Sequence, residues 1–77
     1  MASIILGSGE QFEHQHAKDR KTTLRRGNVR ISIGKRSEKE MEINKAVRIP
    51  ASTPHRLRNV GDDYAIVDCH HEQGSRP

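Results

Sequence analysis

His14 and His16 stand one residue apart in the stretch QFEHQH, and His55 follows far down the chain, directly after Pro54. If residues 11–16 form a strand, both imidazoles project from one face, because side chains alternate with a period of two. Phe12 lies on that same face. Neutral imidazole is the commonest metal ligand, and three of them on one side of a cavity suit Fe, Mn, Zn, Ni or Cu. An H-x-H pair carries little weight until a third imidazole arrives from a distant strand. Without a metal, His14 and His16 read as polar residues at a cavity mouth and His55 as a turn residue. DCHH at 68–71 also groups soft and borderline ligands. Adjacent strand residues point to opposite faces, so Cys69 and His70 do not share one ion. Cys69 is expected as a small buried residue near the end of the last strand.

Short strands between turn signals position these residues. SIIL (3–6) precedes Gly7 and Gly9, QFEHQH (11–16) follows, and AKDR (17–20) is expected as a loop. KTTLRR (21–26) ends at Gly27. NVRISIG (28–34) is the clearest strand, with Val29, Ile31 and Ile33 alternating with polar residues. KRSEKE (35–40) reads as a charged turn and MEI (41–43) as a short strand stopped at Asn44, which tolerates a left-handed turn. AVRIP (46–50) is the next strand, and Pro50 and Pro54 bracket a rigid loop. HRLRNV (55–60) places His55, Leu57 and Asn59 on one face, with Asn59 expected to hydrogen-bond its own loop. GDD (61–63) is a turn before YAIVDCHH (64–71), and the tail 72–77 has nothing to pack against. A helix over 38–47 is the one alternative, weakened by β-branched Ile43 and Val47 and the lack of an apolar stripe. Seven or eight short strands imply an all-β sandwich or barrel.

Composition bounds the partners. Seventy-seven residues make one small domain, and 31% hydrophobic content with one Phe and one Tyr leaves little to fill a core. A homodimer that pairs or swaps an edge strand such as 3–6 would relieve that shortage. No apolar run is long enough for a membrane span, and the opening MASIIL lacks the basic start and cleavage site of a secretion signal. A single cysteine excludes an internal disulfide and fits a reducing, cytoplasmic setting. The net charge of +4 attracts anions, although acids are interspersed with the Lys and Arg residues.

Taken together, these residues resemble the cupin superfamily. Its first motif runs glycine, five residues, H-x-H, three or four residues, glutamate, six residues, glycine. Here His14-Gln15-His16 is followed by Ala17-Lys18-Asp19, then Arg20, then six residues and Gly27. Ser8, flanked by Gly7 and Gly9, stands at the first glycine. The second motif runs glycine, five residues, Pro-x-Gly, two residues, His, three residues, Asn. Asn44, Pro50-Ala51-Ser52, Thr53-Pro54, His55 and Asn59 keep that spacing, with Asn44 and Ser52 at the two glycine positions. The match spans residues 9–59 and leaves 28–43 as the linker between motifs. The resemblance implies a small single-domain cupin-type β-barrel or jelly roll over residues 1–71, with a mobile tail at 72–77.

The resemblance also implies a cavity at the barrel mouth holding His14, His16 and His55 as ligands to a divalent transition metal. Phe12 and Arg20 would line the space for a small polar ligand. Arg20 occupies the position of the family's metal-binding glutamate and cannot ligate a cation. Three histidines without a carboxylate are similar to the sites of some dioxygenases of the superfamily; alternatively Arg20 points outward and Asp19 or Glu13 substitutes, although Glu13 lies on the opposite face from His14. No acid–base pair or activated nucleophile names a reaction, so enzymatic activity stays open. The alternative is a metal-free binding module for an anionic small molecule. Arg20, Arg26, Arg30 and Arg48 would select a carboxylate or phosphate if they faced inward, and alternation turns Arg30 outward. A basic barrel binding nucleic acid is the weakest reading, because only Phe12 and Tyr64 offer stacking platforms.

Overall fold

Val29 and Ile31 are fully buried while Arg30 between them is exposed, and His55, Leu57 and Asn59 are buried with Arg56 and Arg58 between them only partly so. This period of two packs one face of each strand inward and leaves the other to charged side chains. The computed structural model describes residues 2–71, and the tail expected at 72–77 lies outside them. Eight strands form: β1 (Ala2–Leu6), β2 (Gln11–His14), β3 (Arg20–Arg26), β4 (Val29–Ile33), β5 (Lys39–Glu40), β6 (Ala46–Ile49), β7 (His55–Asn59) and β8 (Ala65–His71). No helix forms among the described residues, so none is long and apolar enough to cross a membrane.

The strands make two four-stranded antiparallel sheets, ordered β1-β8-β3-β6 and β2-β7-β4-β5. β1 pairs with β8, β2 with β7, β3 with β6 and β4 with β5. The chain is thus one long hairpin whose turn lies between β4 and β5, rolled so that β3 also meets β8 and β4 also meets β7. That is the jelly-roll solution, two sheets closed over one core. Leu6, Leu24, Val29, Ile31, Met41, Ile49, Leu57, Ala65 and Val67 fill the space between them.

Most expected boundaries move by one residue, as where Arg20, expected in the loop at 17–20, opens β3, and two move further. The strand at 11–16 stops at His14, because β7 begins at His55, the residue opposite His14, and offers no ladder beyond it. The His16 carbonyl is instead taken by the Ser52 N–H at 2.7 Å. The MEI strand is displaced to Lys39–Glu40, inside the stretch expected as a charged turn, where it pairs with Arg30 and Ile31 at the sheet edge. Met41 then dips into the core, and Asn44 turns the chain at φ 65° while its N–H donates to the Leu24 carbonyl. Pairing partners outweigh intrinsic strand preference here. Ser52 likewise sits at φ 58°, a left-handed backbone that glycine adopts more readily. Gly27, at φ 96°, lies so close to β8 that an added Cβ would come within 2.8 Å of the Ala65 Cβ.

Asn59 locks the end of the sandwich opposite His14. Its buried side-chain N–H groups donate to the carbonyls of Leu6 at 2.9 Å and Asp63 at 2.8 Å, and its side-chain oxygen accepts from Gly61 N–H at 2.9 Å. One amide ties β1, β7 and the 61–63 turn together. Removing three such bonds at about 1 kcal/mol each should cost about 3 kcal/mol. Asn59→Ala is therefore expected to lower Tm by about 12 °C or more, given about 4–8 °C per kcal/mol for a domain of this size. A thermal melt showing less than about a third of that fall would remove Asn59 from this role.

Candidate metal centre

Pairing register decides which side chains meet inside the other end of the sandwich. His14 lies directly opposite His55 across β2 and β7, and Phe12 opposite Leu57, so all four face the core side. His16 follows two residues after the end of β2, held by two links between the loops at 15–19 and 50–54. One is the Ser52 to His16 backbone bond at 2.7 Å. The other is Asp19, whose carboxylate accepts from the Ala51 N–H at 2.7 Å and from Arg48 at 2.5 Å. Those bonds, the Ala51 N–H first and Arg48 second, hold the Asp19 carboxyl below its usual pKa. Asp19 is thereby committed to the loop, and Glu13, opposite Arg56 in the ladder of β2 and β7, projects to the other face from His14. Neither supplies the carboxylate the motif comparison left open.

The three imidazoles do come together. Ring centres of His14 and His16 are 4.3 Å apart, His16 and His55 5.3 Å, and His14 and His55 6.3 Å. Two rings on one ion, each with a metal–nitrogen bond of about 2.1 Å, place their centres about 5 Å apart. As the side chains stand, no three His, Cys, Asp or Glu residues among the described ones already converge on metal-ligand geometry. Phe12 stacks on His14 at 5.6 Å and packs its ring against the core beside the cluster.

Exposure grades across the site: His14 is exposed, His16 half-buried and His55 only 2% exposed. Burial, then the neighbouring His16 and His14 charges, push the His55 imidazole down from the usual 6.5 to about 4. It is a neutral base, the form that binds metals. Among the described residues, the buried polar atoms His55 Nδ1, Thr22 Oγ1 and Arg20 Nε in this region have no hydrogen-bond partner. Each orphan costs about 1–3 kcal/mol, and such groups are usually completed by an ion, a ligand or ordered water.

Arg20 and Thr22 belong to this inner surface by register. Arg20 pairs with Ile49 and Thr22 with Val47 and Cys69, and Ile49 and Thr22 are fully buried. Arg20 therefore faces inward, which removes the outward alternative. The other three arginines do not line the cluster. Arg26 pairs with Asp63 and covers the Tyr64 ring at 4.4 Å, Arg30 approaches Glu38, and Arg48 bonds Asp19. A further hollow of 370 Å³ lies along the open side of the sandwich between β5 and β6, and none of the three imidazoles lines it.

Cys69 is a neighbour of the cluster that local sequence pattern does not announce. It is buried on β8, and its Sγ lies 3.8 Å from His16 Nε2. Parity held the signal: Ala65, Val67 and Cys69 alternate on the inward face, while His70 falls on the other.

No family model matches the chain, and no curated protein matches it. Among solved structures it is similar to TT1209 from Thermus thermophilus, at 25% identity and a TM-score of 0.76, over 87% of this chain and 65% of that one. It is also similar to BH2720 from Bacillus halodurans, at 21% identity and a TM-score of 0.76, over 96% of this chain and 62% of that one. The chain spans less than two thirds of the length of either protein. Both likenesses are of fold and agree with the all-β, eight-strand architecture.

A neutral His55 stabilises the folded chain only while the unfolded chain is not competing for the proton. That contribution is fully present above pH 6.5 and is lost as pH falls from 6.5 towards about 4. In chelator-treated protein, Tm is expected to begin falling in the upper part of this window, above the ordinary carboxylate values of 4.5 and 3.8 at which the stabilising Glu38, Asp19 and Asp68 contributions start to be lost. His55→Gln should flatten the upper part of the profile. An unchanged slope in that variant would show that His55 is not the group responsible.

Proposed function

We propose that this protein is a small cupin-like jelly roll that binds a divalent transition metal through His14, His16 and His55 and presents it to a small polar ligand. The observation that carries this reading is the meeting of three imidazoles from two distant chain segments, with centre separations of 4.3–6.3 Å, around a His55 that is buried and lacks a partner at Nδ1. The kept spacing of both cupin-like motifs supports it. Bound metal would supply Lewis acidity towards a ligand at its open positions. His14, the exposed member, marks the side from which a ligand enters, and Phe12 walls that entry. Arg20 faces inward with its Nε unpaired, so it would hold an anionic group of the ligand by charge-assisted hydrogen bonds. A second copy adding to the outer edge of β1, where Ile5 is 68% exposed, accounts for the homodimer that composition suggests.

Protein prepared without a histidine tag and titrated with Zn(II), Mn(II), Fe(II), Ni(II) and Cu(II) should take up about one ion per chain of at least one of them. At a free concentration of about 100 times Kd the ion should add about 2.7 kcal/mol of stability. His55→Ala and His14→Ala should each weaken uptake by about 10-fold or more. Less than about a tenth of an ion per chain with every metal offered would end the reading. Arg20 favours a second reading, a metal-free site for an anion. Chelated protein that binds inorganic phosphate, and loses it in Arg20→Gln, would put that reading in place of the first.

A further inference from the structure

His14 and His55 reach the cluster from β2 and β7 of one sheet, whereas Cys69 reaches it from β8 of the other. Cys69 pairs with Thr22 on β3 and with Ala2 on β1, in the middle of three strands, so its position is set by backbone ladders on both sides. Its sulfur lies 3.8 Å from His16 Nε2. A tetrahedral ion with bonds of about 2.3 Å to sulfur and about 2.1 Å to nitrogen separates those two donors by about 3.6 Å. Sulfur and nitrogen already stand within a few tenths of an ångström of that edge. A thiol–imidazole hydrogen bond also fits the distance, but it would leave the buried His55 Nδ1 as unpaired as before.

Charge points the same way. Three neutral imidazoles and the inward Arg20 would surround a dication with one further positive charge and no anion. A thiolate supplies the missing negative charge from the opposite wall. We propose, building on the metal reading above, that Cys69 is a fourth ligand beside His14, His16 and His55, and that the centre is selective for a thiophilic ion. Ion binding then releases the Cys69 thiol proton to solvent, one proton per ion, as the S–H bond is replaced by a metal–sulfur bond. Zinc and copper are favoured over Mn(II), which prefers oxygen donors. Zinc can expand to five-coordination, so a ligand still reaches it.

The test uses the full chain, tag-free, reduced and stripped of metal, titrated with Co(II). The expected result is a thiolate-to-cobalt charge-transfer band in the near ultraviolet that saturates at one equivalent. In Cys69→Ser the band disappears, Zn(II) affinity falls about 10-fold or more, and Mn(II) affinity is unchanged. X-ray absorption of the zinc-loaded wild-type chain needs no variant, and should show a sulfur neighbour at about 2.3 Å. One Co(II) bound without the band, or a zinc shell of nitrogen and oxygen alone, overturns the role of Cys69 and leaves the three-histidine centre standing. No binding of Co(II) or Zn(II) at all overturns both.

Discussion

The side-chain amide of Asn59 holds the rolled hairpin shut. A jelly roll with a core this small depends on keeping its outermost pair, β1 on β8, aligned with the pair beneath it, β2 on β7. Asn59 sits where those pairs meet, reaching from β7 to the Leu6 carbonyl at the end of β1 and to the turn that leads into β8. Its backbone adds two more links, donating to Glu10 and accepting from Gly9, which set the start of β2. With that end pinned, the register of β2 against β7 runs out at His14 opposite His55. The polar end of the sandwich is thus positioned from its structural end.

The two ends answer opposite demands. Around Asn59 both side-chain donors and the side-chain oxygen are bonded, next to the buried Leu6. At the other end, imidazoles, a hydroxyl, a thiol and a guanidinium replace what could have been aliphatic packing, and several of their polar atoms are left without partners. A chain selected only for stability would place Leu or Val at such positions. On the outer faces, by contrast, charge is paired locally. Glu38 takes both nitrogens of the Arg58 fork, and Asp68 accepts from Ser3 and Arg25.

Much of this is legible from residues. The alternation in NVRISIG and HRLRNV marks the buried faces of β4 and β7 correctly, and the turn residues mark most connections. His14 and His55 meet through the ladder of β2 and β7, as strand alternation predicts, whereas His16 joins them from the loop after β2, held by Ser52. The losses come where a distant partner decides. β5 forms from Lys39 and Glu40, poor strand formers, because Arg30 and Ile31 present an open ladder. Along the chain Cys69 is weighed against its neighbour His70, whereas its relevant neighbour, His16, lies across the sandwich. No property of a single strand announces which residue of the other sheet it will face.

The pairing of β2 with β7 carries one more consequence. Because side chains alternate, sliding β2 by a single residue would turn Phe12 and His14 outward and bring Gln11 and Glu13 to the interior. QFEHQH therefore encodes two donor sets on its two faces, one of nitrogen and one of oxygen, separated by one step of the ladder. Which donor atoms this end of the sandwich gathers is stored less in the histidines themselves than in the alignment error the chain does not make.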